Sequence, residues 1–304
     1  DLAGPELLRR MSRALGVPEG ELGMAGTKDR RAVTRQWISV PESCAGRLDE
    51  LTGVEGIRVL ETTRHRHKLR TGHLRGNRFD ILVREADPAA AESLHEVAAI
   101  VSARGFPNLF GVQRFGREGA SLRTALGCLE APQRFRRLRP FERRMVASSL
   151  QSTLFNAWVA ERIGRGLDRT VLAGDLMSKA DSGGIFYAVD VPIEQARLDA
   201  GETRISGPMF GKSMMAARDE AGAFEQSILD RAGLVPESFQ AFASLAEGTR
   251  RPLFVRPEEL SVEPDPDGVR IRVFLPKGTY ATVLLREFMT SPPAPGAESH
   301  DVDL

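Results

Sequence analysis

Strand-like segments lie near both ends of this 304-residue chain, and a long helical region separates them. Residues 32–40 and 79–86 are rich in β-branched and aromatic side chains, and residues 268–276 and 278–288 have the same character. Between them, residues 141–164 show the clearest helical spacing of apolar side chains. The pattern predicts an α/β (α+β) fold in which a mixed sheet is interrupted by an inserted domain.

Further helices are predicted from the same spacing. Apolar residues predict helices over 5–15, 89–103 and 225–232, and Gly16 supplies the end of the first. In the helix at 141–164, one apolar stripe is expected to face the core. Its members are Val146, Leu150, Leu154, Trp158 and Ile163.

The composition is that of a globular protein with a substantial core. Hydrophobic residues make up 41% and charged residues 27%, and no apolar stretch approaches the ~20 residues needed to span a bilayer. The two cysteines, Cys44 and Cys128, lack the spacing of a zinc site or a disulfide framework. A protein of the reducing cytoplasm, with no membrane partner, is therefore expected.

Positive charge is concentrated in two segments, although the net charge is only +1. Residues 58–84 contain eight Lys or Arg against two acids, and residues 134–144 contain six Arg against one acid. This segregation indicates a surface that binds a polyanion, and a solvated helix or strand face is the alternative. His65 and His67 alternate on a predicted strand, where the neighbouring cations favour phosphate contact over a metal ion.

Asp29 stands among cations in a glycine-containing turn, next to Lys28, Arg30 and Arg31. One interpretation is an ordinary surface turn with a satisfied aspartate. The other is that the cations recruit a phosphodiester while the carboxylate does chemistry on the nucleotide. The residues of this turn alone leave both interpretations open.

A second short sequence, GNRF at residues 76–79, places an amide two residues before an aromatic ring. Asn77 can hydrogen-bond a ribose, and Phe79 can stack a displaced base. The alternative is the start of a strand with a core phenylalanine. Phosphate-loop, serine-hydrolase and zinc-protease motifs are absent from the sequence, so chemistry has to come from these two short sequences and the basic segments.

The sequence AGTKDRRAVTRQW at residues 25–37 resembles the signature of the tRNA pseudouridine synthase D (TruD) family. That signature is a Gly-x-Lys-Asp-Arg/Lys turn followed by Ala-Val-Thr-x-Gln. Six more sequences resemble the family in its own order and extend the match over nearly the whole chain. They are RHRHKLRTGHLRGNRF (64–79), PNLFGVQRFG (107–116), SSLQSTLFNAWVAERI (148–163), ISGPMFGK (205–212), GTRRPLF (248–254) and FLPKGTYATVLLRE (274–287).

The resemblance implies a pseudouridine synthase fold with an inserted domain peculiar to the family. The expected boundaries are 1–104 and 256–290 for the catalytic domain, 105–255 for the insertion and 291–304 for a disordered tail. Family members convert a specific uridine of tRNA, typically U13, to pseudouridine. They do so without a metal or an organic cofactor, so neither is expected here.

Carried over by position, the resemblance implies that Asp29 is the catalytic residue, acting as nucleophile or base. Asn77, Phe79 and Tyr280 correspond to residues that hold the flipped uridine, and Lys28 corresponds to the lysine before the catalytic acid. The expected partner is tRNA, bound by a monomer. The residues expected along the RNA backbone are Arg30, Arg31, Arg64, Arg66, Lys68, Arg70 and Arg75.

Two alternative functions stay open. One is a non-catalytic RNA-binding or chaperone relative, and the other is a nucleoside hydrolase or glycosidase that uses Asp29, which usually needs a second carboxylate or a metal. Family members also begin with a strand-forming segment, before the point that corresponds to Asp1, which supplies a lysine and an aromatic residue. A protein from which that segment had been deleted is expected to be inactive, and one that carries it is expected to be competent.

Overall fold

The computed structural model describes residues 2–29, 31–116 and 119–289. The chain forms two compact units, Asp1–Asn77 and Arg78–Leu304. Arg30 and the tail expected at 291–304 lie outside the described residues. No helix in the described part of the chain has the length and apolar composition needed to cross a membrane.

The first unit is built on helix α1 (Gly4–Leu15), which confirms the first predicted helix. Gly16 ends this helix with a φ of 60°, a left-handed conformation that glycine adopts without strain. A short antiparallel pair, β1 (Gly23–Met24) and β2 (Ile38–Ser39), follows, and then a 3-10 helix at Glu42–Gly53. The buried residues of this unit's small core are Met11, Leu15, Leu22, Cys44 and Leu51.

The strand predicted over 32–40 is wrong except for the two residues of β2. Val33 is 102% exposed and Trp37 is 53% exposed, so apolar side chains on this segment do not cover a core. A strand is stabilised by a pairing partner and a buried face, and β1 offers a partner of only two residues.

The strand predicted around His65 and His67 is also wrong. Residues 58–75 contain no helix or strand, and nearly all of them are exposed. The alternation of basic and histidine residues provides no apolar face for a sheet to bury, so the segment stays extended and irregular. The two imidazole rings nevertheless meet edge to face, with centroids 5.8 Å apart.

The second unit contains the remaining helices and strands. The strand β3 crosses the boundary, because its first two residues, Gly76 and Asn77, belong to the first unit. In chain order the elements are β3 (Gly76–Arg84), α2 (Ala90–Arg104), β4 (Phe106–Pro107), α3 (Ala120–Glu130), α4 (Pro132–Arg137), α5 (Pro140–Gly164), β5 (Leu176–Lys179), β6 (Ile185–Tyr187), α6 (Val191–Asp199), β7 (Thr203–Met209), α7 (Asp219–Arg231), β8 (Thr249–Pro252), β9 (Phe254–Val255), β10 (Glu258–Asp265), β11 (Gly268–Pro276) and α8 (Ala281–Arg286). The predicted helices at 89–103 and 225–232 are confirmed as α2 and α7, and the predicted strands at 79–86 and 268–276 as β3 and β11.

Two sheets carry the second unit. The first has the strand order β10-β11-β3, and α2 packs against β10. The second has the order β6-β5-β7-β8 with every neighbouring pair antiparallel, and α5 packs against β7. A short antiparallel pair joins β4 to β9. The strands nearest the two ends of this unit, β3 and β11, are therefore neighbours, as the sequence predicts.

The long helix α5 confirms the prediction of a core helix, with one correction. Four of the five stripe residues are buried, whereas Ile163 is 41% exposed because it lies five residues after Trp158, not four, and so points away from the stripe. Ser149 and Ser152 are buried as well, and each hydroxyl donates a hydrogen bond to a carbonyl of the preceding helical turn. The core therefore surrounds more of this helix than an apolar stripe alone indicates.

The strand predicted over 278–288 is wrong, because α8 occupies residues 281–286. Val283, Leu284 and Phe288 are buried there, and the separation of Leu284 from Phe288 is one helical turn. The β-branched and aromatic residues that suggested a strand pack equally well on one face of a helix. Strand propensity depends on tertiary context more than helix propensity does.

The second unit contains two hydrophobic cores. One is built from residues between 125 and 253, and the other from residues 91–106 and 255–288. This division supports the domain boundaries proposed from the sequence, in which 105–255 is inserted between two parts of a catalytic domain. Those boundaries stay a proposal, because the compact units divide the chain at another point.

Candidate functional site

The turn that carries Asp29 is attached to the segment before β3 by close backbone approach. Gly72 N donates to Ala25 O at 2.8 Å, and Leu69 N donates to Ser39 Oγ at 2.9 Å. Gly23 makes this approach possible, because a Cβ there would lie 2.4 Å from both Leu69 O and Ser39 Oγ. Glycine is therefore required at position 23, the first residue of β1.

Lys28 and Asn77 meet within the first unit, where Lys28 Nζ donates a hydrogen bond to Asn77 Oδ1. Both side chains are half-buried, while Asp29 is exposed. The contact joins two residues 49 positions apart in the sequence and holds the Asp29 turn beside the beginning of β3. The structure thus brings together two of the residues predicted from separate motifs.

The residues predicted along an RNA backbone are mostly exposed. Arg31, Arg66 and Arg70 are exposed, as are Arg64, Lys68 and Arg75. Some of these side chains contact other parts of the chain: Arg64 pairs with Glu42 at 3.1 Å, and Lys68 Nζ donates to Gly20 O. Such exposed contacts contribute little to stability, so these cations can exchange their partners for phosphates.

Phe79 and Tyr280 belong to the second unit, where both pack partly buried against the core around β11. The Tyr280 ring meets the Phe110 ring edge to face, with centroids 5.9 Å apart. Phe110 contacts Phe155 of α5 in the same way at 5.8 Å. Asn156 fixes the Phe110 backbone, because its amide accepts from Phe110 N at 2.9 Å and donates to Phe110 O at 3.0 Å.

Arg251 ties together the three segments around these aromatic rings. Its guanidinium lies 4.1 Å over the Phe110 ring. It donates to Asn108 O at 2.9 Å, to Asn108 Oδ1 at 2.5 Å and to Gly278 O at 2.9 Å. Burial lowers the pKa of Arg251 to about 10, with Tyr280 acting in the opposite direction, so the side chain is charged at neutral pH. One cation therefore sets the relative positions of the Asn108, Phe110 and Tyr280 segments.

Replacing Arg251 by methionine is expected to lower the free energy of unfolding by about 2–4 kcal/mol, measured by urea titration. Methionine fills similar volume but leaves the two backbone carbonyls and the Asn108 side chain without their donor. Arg251→Lys retains the charge without the planar fork and is expected to fall in between. Arg286→Met, at an exposed position, is the matched control and is expected to change stability by less than about 0.5 kcal/mol. A loss at Arg251 no larger than at Arg286 would contradict this role.

No role was predicted from the sequence for Asn108, Phe110 or Arg251. The first two lie in the sequence PNLFG and the third in GTRRPLF, which the family resemblance includes. In the sequence 143 positions separate Asn108 from Arg251. A glycine helps these segments meet, since a Cβ on Gly111 would lie 3.3 Å from Tyr280 Cδ1. The two motifs are visible in the sequence, but the contact between them depends on tertiary structure.

A cleft with a volume of about 550 Å³ opens beside this group, lined in part by Asn108, Phe110 and Arg251. Its other lining residues include further cations, Arg204, Arg256 and Lys277. Among the described residues, no three His, Cys, Asp or Glu side chains are close enough together to hold a metal ion. The arrangement offers aromatic faces, amides and positive charge, which suit a nucleotide.

Comparison with known proteins agrees with this chemistry. The family model described as tRNA pseudouridine synthase D (TruD) matches residues 3–124 and 130–288. A protein named tRNA pseudouridine synthase D from Anaeromyxobacter sp. (strain Fw109-5) is 43% identical over 302 residues, which cover 98% of this chain and 84% of the relative. A protein of the same name from Thermus thermophilus is 43% identical over 284 residues, covering 93% of this chain and 78% of the relative.

A solved structure shares the fold. The crystal structure of a candidate tRNA pseudouridine synthase D (TruD) from Methanosarcina mazei superimposes with a TM-score of 0.71, at 24% identity, and covers 96% of this chain and 86% of that one. The predicted α+β fold is confirmed by this likeness and by the antiparallel sheets. At this identity the likeness concerns the fold alone.

Proposed function

The chain belongs to the tRNA pseudouridine synthase D family, whose members are isomerases acting on tRNA, and from this premise we propose that it converts U13 to pseudouridine with Asp29 as the catalytic carboxylate. The observation that carries the proposal is the Lys28–Asn77 hydrogen bond, which holds the Asp29 turn beside Asn77. Three of the residues implied by the family resemblance therefore lie in one region of the first unit.

The proposed reaction uses one carboxylate, that of Asp29. The N1–C1′ glycosidic bond breaks, the uracil turns, and a new bond forms between its C5 and the ribose C1′. The C5 proton is released to solvent and N1 takes up a proton, so the product is an isomer of uridine. Asp29 acts on the sugar, either as nucleophile at C1′ or as base at the 2′ position. An exposed carboxylate on a glycine turn is accessible to a nucleotide that has been extruded from folded RNA.

We assign the remaining predicted residues to holding the uridine. Asn77 bonds the nucleotide, and the half-buried rings of Phe79 and Tyr280 stack on it. Stacking of a base on an aromatic side chain contributes about 1–3 kcal/mol, which offsets part of the cost of extrusion. The exposed cations hold the tRNA backbone, so binding weakens steeply with salt. A tRNA-modifying enzyme of this kind acts in the cytoplasm.

The test is tritium release from tRNA transcribed with 5-tritiated uridine, because the isomerisation expels the C5 hydrogen. The transcript with U13 is expected to release about one tritium per molecule, and a matched transcript with C13 none. Equal release from both would move the target to another uridine. Free uracil in the products would instead indicate a glycosidase.

Bound tRNA without any release would favour the non-catalytic RNA-binding relative. A second protein, extended at its N-terminus by the strand-forming segment that the family resemblance implies, separates two causes of such a result. Release by the extended protein alone would assign a catalytic contribution to that segment. Absence of release from both would contradict the proposed reaction.

A further inference from the structure

Four arginines from distant parts of the second unit line a small cleft: Arg104, Arg169, Arg204 and Arg256. Among the described residues that line it, Asp168 is the only acid. The cleft has a volume of about 50 Å³.

The strand pairing explains why these residues meet. Phe106 of β4 pairs with Val255 of β9 in an antiparallel register, which brings Arg104, two residues before β4, close to Arg256, directly after β9. Leu253 N donates to Ile205 O at 2.8 Å, and this bond brings Arg204 on β7 to the same place. The fold thus brings together four arginines that are far apart in the sequence.

Two of the guanidinium groups are held in position by their surroundings. Arg169 lies 3.7 Å over the Phe254 ring, and its Nη2 donates to Arg104 O at 2.8 Å. Arg256 lies against Gly201, where a Cβ would approach its Nη1 to 2.9 Å. A side chain at position 201 would therefore displace the Arg256 head group from the cleft.

The charge of the cleft is unbalanced. Burial lowers the pKa of Arg169 and of Arg204, and the neighbouring positive charge of Arg256 lowers both further. The one acid, Asp168, places its Oδ2 at 3.7 Å from Arg169 Nε. The described residues supply neither Arg204 nor Arg256 with an ion-pair partner. An anion in the cleft would relieve this repulsion and receive several donors at once.

We propose that this arginine cleft binds one backbone phosphate of the tRNA. Arginine presents a planar fork that matches a phosphate, and four of them with one acid leave an excess of three positive charges. Arg204, Phe254 and Arg256 also line the larger cleft that leads to Phe110 and Arg251. The two clefts are thus close enough for neighbouring parts of one RNA strand to occupy both. This inference rests on the proposed function for the identity of the RNA.

The test compares tRNA binding by the parent protein with that by the double variant Arg204→Gln, Arg256→Gln, over about 50–200 mM KCl. The matched control is Arg165→Gln, Arg231→Gln, which removes the same charge from two arginines that are 54% and 50% exposed and already paired with Glu161. The cleft variant is expected to bind about tenfold more weakly, with the slope of log K against log[salt] reduced by about 0.7–0.9, since one phosphate contact is lost. The control is expected to keep the parent slope.

Tritium release at saturating tRNA separates this inference from the proposed function. The cleft variant is expected to keep the parent kcat with a raised KM, because the cleft contacts backbone and not the reacting base. An unchanged affinity and salt slope would overturn the phosphate site and leave the isomerisation standing. Binding of tRNA without tritium release, by both the parent and the N-terminally extended protein, would overturn the reaction alone. A parent that does not bind tRNA would overturn both.

Discussion

Replacing Asp29 by asparagine is expected to reduce tritium release from 5-tritiated tRNA by about a thousandfold or more. Asparagine keeps the size and polarity of the side chain but can act neither as nucleophile nor as base. Loss of a positioned general base typically costs about 10²–10⁴-fold in rate, and loss of a nucleophile costs more. The effect is expected in kcat, with tRNA affinity within about threefold of the parent, because the exposed carboxylate contributes no attraction for a polyanion.

Asp49→Asn is the matched control for this variant. Asp49 is an exposed aspartate in the same unit, on the 3-10 helix at Glu42–Gly53, and its replacement changes the net charge by the same amount. It is expected to retain the parent rate. A parent-like rate in the Asp29 variant would remove Asp29 from the reaction and reopen the interpretation of a surface turn. Loss of tRNA binding in that variant alone would assign Asp29 to binding instead of chemistry.

Replacing Asp175 by alanine is expected to lower the free energy of unfolding by about 3–5 kcal/mol, measured by urea titration. Asp175 and Arg162 form an ion pair of 2.6 Å, with side chains 1% and 0% exposed. Removing the carboxylate leaves a buried guanidinium without its counter-charge. It also removes the acceptor for Leu172 N, which bonds Asp175 Oδ2 at 2.8 Å.

Glu161→Ala is the matched control, because this acid pairs with Arg165 and Arg231 on the outside of the same helix. Its loss is expected to cost less than about 1 kcal/mol. The double variant Arg162→Met, Asp175→Leu, which removes both charges, is expected to be closer to the parent than Asp175→Ala alone. If Asp175→Ala lowers the free energy of unfolding no more than Glu161→Ala does, water compensates the unpaired Arg162 guanidinium.

The Asp175 pair matters to the candidate site because Arg162 belongs to α5. The same helix carries Asn156, which fixes the Phe110 backbone, and Phe155, whose ring supports Phe110. Weakening the attachment of α5 to β5 is therefore expected to loosen the packing of Phe110 against Phe155 and Tyr280 before it affects the Asp29 turn. The urea titration and the tritium-release assay therefore distinguish a structural variant from a catalytic one.

Sequence reasoning succeeded where structure depends on neighbours along the chain. The helices α1, α2 and α5 follow from the spacing of their own apolar residues, and α1 ends at the glycine that predicts its end. The strand β11 alternates strongly because it lies in the middle of its sheet, with one face on a core. The short sequence around Asp29 indicated the family, because its residue types and order are specific.

Tertiary structure decided what depends on partners far apart in the chain. Residues 32–40 and 278–288 have strand-like composition, yet one has little to pair with and the other folds as a helix, since pairing and burial override β-propensity. The hydrogen bonds of Arg251 and the arginine cleft join residues that no local pattern connects. By itself, the sequence determined the helices α1, α2, α5 and α7, the class of fold and the family, because these follow from short-range spacing and motif order. Which cations gather in the arginine cleft was decided only by the tertiary structure. An electrostatic site depends on distance in space and not on distance along the chain.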